Sequence, residues 1–176
     1  MVYDGSQLVS HWILRETGLK GNALVSFIGP CEVKLDAMVD LEDVLAKKPI
    51  FSHQMVHFIE ECFDENLERM ILRQRLFVSL METELRSQLP ELELVRKGDD
   101  LYSEHFKLTV SIATVSLVST LMHTAINVES HDTPVPTKGL KELNVNPFAF
   151  ARSVMNRYRE EMDGVVWARS KVRGVG

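Results

Sequence analysis

Phe106-Lys107-Leu108-Thr109-Val110-Ser111-Ile112 alternates apolar and polar side chains, and Ser119 to Val128 answers it across a short connection around Ser116 and Leu117. Side chains of a strand point to opposite faces in turn, so this pattern predicts a β-hairpin with one face in a core. Leu108, Val110 and Ile112 form one side of the first strand. Met122, Ile126 and Val128, with Thr124 among them, form one side of the second. With the turn centred on Leu117, Lys107 falls opposite Asn127, Thr109 opposite Ala125 and Ser111 opposite His123. The polar sides then coincide, and an ammonium, two hydroxyls, an imidazole and an amide share one patch.

Upstream of the hairpin, Leu67, Met70, Ile71, Phe77, Val78, Met81 and Leu85 recur at spacings of three and four and predict a long amphipathic helix. Asp64 is its expected N-cap and Pro90 its expected stop, with Arg69, Arg73 and Arg75 on the solvated side. Downstream, Asn146-Pro147 opens a second long helix, striped by Phe150, Ala151, Val154, Tyr158 and Met162 and ended by Gly164. Towards the N-terminus, Ala23 to Ile28 reads as a buried strand closed by Gly29-Pro30, and Asp40 to Pro49 as a brief helix. Gln7 to Arg15 is open between helix and edge strand, and His131 to Thr137 is a polar loop. Nothing marks a linker or repeat. The expected architecture is therefore α+β, one domain over residues 1–176, with a mixed or antiparallel sheet packed on at least two long helices.

Composition narrows the function classes. A net charge of -5 argues against general nucleic-acid binding, which needs a basic excess. The longest apolar runs fall far short of the roughly 20 residues of a membrane span. Met1-Val2-Tyr3-Asp4-Gly5 lacks the basic start and apolar core of a secretory signal, and two cysteines cannot build a disulfide framework, so the cytoplasm is the expected compartment. Homodimers are the commonest soluble assembly, and one is possible here.

Several groups could carry chemistry. Lys107 is a compact cation suited to a carboxylate or phosphate oxygen, and Asn127 offers both a donor and an acceptor. Thr109, Ser111 and His123 complete the patch, which a solvated sheet face would also explain. Asp99 and Asp100 follow Lys97-Gly98 and are either a magnesium-binding pair or turn-formers. Cys31, after Gly29-Pro30, is either a nucleophile or a small buried apolar side chain, the latter being the commoner case. His53 and His57, four apart, would share a helical face. However, Met55 to Ile59 reads equally well as a strand, and no third ligand is evident, so no metal is expected.

Arg96-Lys97-Gly98-Asp99-Asp100-Leu101-Tyr102, then Lys107-Leu108, then Ala125-Ile126-Asn127-Val128 resemble the ordered motifs of biotin protein ligases: a Lys-Trp-Pro-Asn-Asp turn, a Lys-Leu-Ala-Gly strand and a Gly-Ile-Asn-Val strand. Lys138-Gly139-Leu140 before the last helix is similar to the family's Thr-Ser-Leu segment. The resemblance implies a biotin/lipoate protein ligase-like core, in which an acid is activated by ATP and passed to a carrier lysine. It would place Asp100 near metal and nucleotide, Lys107 at the ligand carboxylate and phosphate, and Asn127 at the nucleotide end. Val110 replaces the family's glycine, and the arginine- and glycine-rich loop has no counterpart before Leu67. End to end, including Tyr3-Asp4-Gly5-Ser6-Gln7-Leu8 and Gly29-Pro30-Cys31, the chain resembles the prokaryotic family called domain of unknown function 366. The expected function is binding of a small carboxylate-bearing or nucleotide-like ligand, extending to acyl transfer. Lys107 is the candidate catalytic group, Gly29 and Cys31 form a loop over the pocket, and no cofactor is specified. An ATP-dependent acyl-adenylate-forming ligase and a non-catalytic scaffold subunit are the alternatives.

Overall fold

The computed structural model describes residues 1–131, 133 and 135–176, so Asp132 and Pro134 of the expected polar loop lie outside the described residues. In chain order the elements are α1 (Trp12–Thr17), β1 (Ala23–Val33), α2 (Leu41–Ala46), β2 (Ile50–Cys62), α3 (Leu67–Gln88), β3 (Leu94–Lys97), β4 (Asp100–Ser103), β5 (Phe106–Lys107), β6 (Thr109–Val115), β7 (Thr120–Glu129) and α4 (Pro147–Lys171). A four-stranded sheet runs β1-β2-β7-β6, antiparallel throughout, and β3-β4-β5 form a small second sheet. The α+β architecture with an antiparallel sheet on helices is thus present.

Period two on the central strands gives the large sheet two dissimilar faces. Val56, Phe58, Met122 and Ile126 point to α3 and α4, meeting Met70, Phe77, Val78, Met81, Leu85, Phe150 and Val154 in the main core. Met55, Ile59 and Ala125 point the other way, into a smaller cluster with Tyr3, Trp12, Ile13 and Cys31. The opening segment is therefore neither stray helix nor edge strand alone. It lays α1 and a bridge from Tyr3 to Cys31 over the face that the long helices leave uncovered.

Several local expectations need correction. Gly29-Pro30 does not close β1. The strand bulges between Gly29 and Cys31 and continues to Val33, and Pro30, which has no N–H to lose, accepts from Tyr3 N through its carbonyl at 2.9 Å. Gly29 and Cys31 therefore sit within a strand rather than in a loop. The N-cap of α3 is Asn66, accepting from Arg69 N, while Asp64 braces Asn66 N. Helix α4, capped by Asn146, runs past Gly164 to Lys171. Met55 to Ile59 belongs to β2, so His53 and His57 lie on a strand. Arg73 is not a solvated residue: it pairs with the buried Glu60 at 3.3 Å and donates to the Tyr158 hydroxyl.

The decisive correction is register. The hairpin turn is Ser116–Ser119, tied by Ser116 N to Ser119 O at 2.7 Å and by both serine side chains, and its midpoint lies half a residue beyond Leu117. Thr109 consequently pairs with Ile126, Val110 with Ala125, Ser111 with Thr124 and Ile112 with His123. A shift of one residue exchanges the faces. Thr109 and Ser111 do not share a face with His123 and Asn127.

Phe77 is fully buried and makes edge contacts with Phe58 and Tyr158, at centroid distances of 4.9 and 5.1 Å. Phe77→Ala is expected to cost about 3–5 kcal/mol by urea denaturation. A loss under ~1 kcal/mol would show that the β2–α3–α4 contact does not hold the fold.

Candidate functional site

The site begins where the first strand of the hairpin breaks. Leu108 leaves the alternation, and its carbonyl accepts from Asn127 N at 2.9 Å and from Asn127 Nδ2 at 3.2 Å. Leu108 N donates to Leu101 O at 2.9 Å, and Lys107 N to Pro136 O at 2.9 Å. The side-chain carbonyl of Asn127 accepts from Ser52 Oγ at 2.9 Å. Asn127 thus joins β2, β7 and the chain entering β6, and the break lets Lys107 pair with Tyr102 in the small sheet instead of following β6.

Beside this junction lies a cavity of about 740 Å³. Asp100, Lys107, Thr109, Ser111, His123, Asn127 and Cys31 all line it, whereas Gly29 does not. The strand β6 is a sheet edge, so successive residues from Thr109 to Ile112 border the space despite pointing alternately. The rim carries Asp40, Glu42, Asp43, Lys47 and Lys48 from α2 and its flanks.

Lys107 Nζ contacts Asp100 Oδ2 at 2.7 Å, with the side chains 27% and 21% exposed. Burial would lower the Lys107 pKa, but the adjoining carboxylate outweighs it and holds the ammonium above its ordinary value. Burial pushes the Asp100 carboxyl up, and Lys107 only partly offsets this. The second carboxyl oxygen, Oδ1, is buried without a partner. Asp99 has a different role. It sits on the β3–β4 turn, where Gly98 supplies φ 65°, and accepts from Gln74 Nε2 of α3 at 2.8 Å. Gln74 also donates to Ser111 Oγ, itself 2.9 Å from Thr124 Oγ1. Ser111 is therefore held by the helix side.

Across the cavity, His57 and His123 come together: Nδ1 of His57 is 3.0 Å from Nε2 of His123, and His57 Nε2 is 3.1 Å from the Gly29 carbonyl. Tyr3 stacks on His123 with centroids 3.6 Å apart and planes 10° from parallel, and Phe27 stacks on His57 at 4.8 Å. Gly29 admits no side chain, because a Cβ there would stand 1.9 Å from the Met1 carbonyl oxygen. Cys31 is fully buried and its thiol is pushed up to about 12 by burial, which removes it as a thiolate nucleophile at neutral pH. Sequence reasoning missed Tyr3, Ser52 and the part played by His57. The signal for His57 was present: on a strand it falls in step with Met55 and Ile59, hence indoors.

Burial lowers the His57 pKa to about 4 and that of His123 well below 6.5. An unfolded chain takes up protons at both rings near pH 6.5, and the native protein refuses them, so acidification favours unfolding. The slope approaches about 1.4 kcal/mol per pH unit per ring below that point. Asp100 and Glu60, held above the ordinary carboxylate range by burial, act in the opposite sense nearer that range. Urea unfolding at pH 7 and 5.5 is expected to show a loss of about 2–2.5 kcal/mol at the lower pH, ~1.2 kcal/mol from each ring less the offset from the carboxylates. An unchanged midpoint would mean the rings are not held neutral.

With this geometry in hand, known proteins supply context. The Methanocaldococcus jannaschii protein "Uncharacterized protein MJ0805" is 33% identical over 170 residues, covering 93% of this chain and 76% of its own. A solved protein of unknown function from Pyrococcus horikoshi superposes with a TM-score of 0.92 at 37% identity, over 100% of this chain and 94% of its own. Biotin protein ligase from Aquifex aeolicus, solved with biotin and ATP, gives 0.57 at 14% identity, over 92% of this chain and 67% of its own. Protein Ta0514 from T. acidophilum, solved with bound lipoic acid, gives 0.60 at 12%, over 86% and 77%. At such identities these last two establish a shared fold, that of the biotin/lipoate ligases. The family model "Domain of unknown function (DUF366)" matches residues 1–173, and the chain belongs to that family.

Proposed function

We propose that this protein binds a small organic acid, or a molecule bearing a phosphate, in the cavity beside Lys107. The observation that carries the reading is the half-buried Lys107–Asp100 pair on the wall of a 740 Å³ space, with one Asp100 oxygen unpartnered. That volume suits a small ligand, and the walls mix apolar side chains such as Met38, Val110 and Ile112 with charged and polar groups, the wall of a site for a polar molecule. An incoming carboxylate would share the ammonium with Asp100. Because burial raises the Asp100 carboxyl, taking up a proton there relieves the repulsion between the two acids and gives Asp100 a donor of its own. The bound biotin and lipoic acid of the proteins sharing the fold support an acid as the ligand class.

Acyl-adenylate formation is the second reading, favoured by the ATP held in the Aquifex enzyme. Lys107 would then stabilise charge developing on the transferred phosphate, aided at the rim by Lys47 and Lys48. No arginine is found among the described residues that line the cavity, so simple binding takes precedence.

Native mass spectrometry of protein purified from its own host is expected to show a retained small acid. Lys107→Ala should lower its occupancy about ten- to a hundredfold, the loss of one charge-assisted contact. Wild-type protein that carries nothing, and binds neither lipoic acid nor biotin when these are added, overturns the reading. Pyrophosphate release on adding ATP with either acid would promote the second reading, and a flat assay removes it.

A further inference from the structure

Gly29, His57 and His123 form a hydrogen-bonded chain whose direction is fixed at one end. A backbone carbonyl only accepts, so the 3.1 Å contact with Gly29 O requires the proton of His57 to sit on Nε2. Neutral His57 then has a bare Nδ1, and its 3.0 Å contact with His123 requires the proton of His123 on Nε2. What remains is a lone pair on His123 Nδ1. Two imidazolium rings at this separation, inside an apolar cluster, would repel one another at low dielectric, and burial keeps both neutral.

The ring cannot readily reorient. His123 is 3% exposed, stacked under Tyr3, and a flip would break its bond to His57. It also lines the cavity. Among the described residues the buried side-chain nitrogens and oxygens without a partner are Asp100 Oδ1 and Ser103 Oγ. Among the described residues no donor is found for His123 Nδ1, and the residue borders the cavity.

We propose that His123 Nδ1 is a dedicated acceptor for an N–H or O–H group on the molecule bound in this cavity. The inference rests on the cavity reading above and sharpens it: the ligand is a small acid that also carries a hydrogen-bond donor. A carbonyl or ether oxygen at that point would face the lone pair. To become a donor there, His123 would have to surrender its bond to His57, or the whole chain would have to change tautomer and leave the Gly29 carbonyl unpaired. Sites built this way reject analogues that lack the matching group.

The test uses wild-type protein with 15N-labelled histidine and 13C-labelled valine and isoleucine methyls, titrated with phenol and separately with anisole, its methyl ether. The free protein should show His57 and His123 protonated on Nε2 and bare on Nδ1. Phenol should move the His123 Nδ1 resonance in the direction of an accepted hydrogen bond, and anisole should not, while both shift the methyls of Val110 and Ile112. Phenol should bind about five- to tenfold more tightly than anisole, the worth of one neutral hydrogen bond. In His123→Phe, provided its methyl spectrum stays dispersed, the two affinities should converge. Methyl shifts with an unmoved Nδ1, or a proton found on Nδ1 in the free protein, overturn this inference and leave the cavity reading standing. Methyls that respond to neither compound overturn this inference, and the cavity reading falls with it only where lipoic acid and biotin also leave them unmoved.

Discussion

The carbonyl of Leu108, gripped by the backbone and side-chain N–H groups of Asn127, is the contact on which the rest of the site depends. Without it the run from Phe106 to Ile112 would continue as one strand, and Lys107 would project from the large sheet. Instead the strand divides. Lys107 goes to the small sheet with Tyr102, while Thr109 onwards joins β7. Asn127 is almost wholly buried and spends its amide on Ser52, Lys107 and Leu108. Its place at the cavity is that of a tie between layers, with its polar atoms already committed inside the protein.

From that tie follows the division of labour between the two faces of the large sheet. On the helix-facing side the buried polar groups are paired. Glu60 accepts from Tyr158 and pairs with Arg73, Glu84 takes Arg157 at 2.7 Å, and Gln74 links Asp99 to Ser111. These buried polar groups meet their partners within the chain, as a stable core demands. The opposite side is covered by the thinner N-terminal segment, which reaches Tyr3 over the histidines but leaves space next to the edge strand β6. A sheet edge normally needs protection, and here its open side borders a cavity.

Much of this fold could be read from residues alone, because the periods were strong. The stripe from Leu67 to Leu85, the Asn146-Pro147 start and the two alternating strands each fixed an element by simple geometry. What could not be read was anything that depends on a single residue of offset. Four serine and aliphatic residues, Ser116 to Ser119, form the turn, and nothing in the pattern told that loop from one centred a half-step earlier. Alternation with that earlier turn centre puts Thr109 and Ser111 beside His123, whereas Val110 and Ile112 stand there. The gathering of Lys107, Asp100, His123 and Asn127 about one space arises from the break at Leu108, which alternation cannot foresee. Tyr3 and Gly29 were illegible for another reason: their roles are contacts between distant segments, with no periodic trace.

The contrast between the two faces is the strongest physical argument for a site. Half-buried ion pairs stabilise a fold little, because desolvation consumes most of the attraction. The pair Lys107–Asp100 is a poor bargain as scaffold: one carboxyl oxygen is buried and unpartnered, and burial raises the acid's pKa despite the ammonium at 2.7 Å. His123, whose Nδ1 has no donor among the described residues, borders the same space. A chain that satisfies Glu60, Gln74 and Glu84 so fully on one side has the means to satisfy such groups. Lys107, Asp100 and His123 all border one space, whereas the buried polar groups on the helix side are paired among themselves.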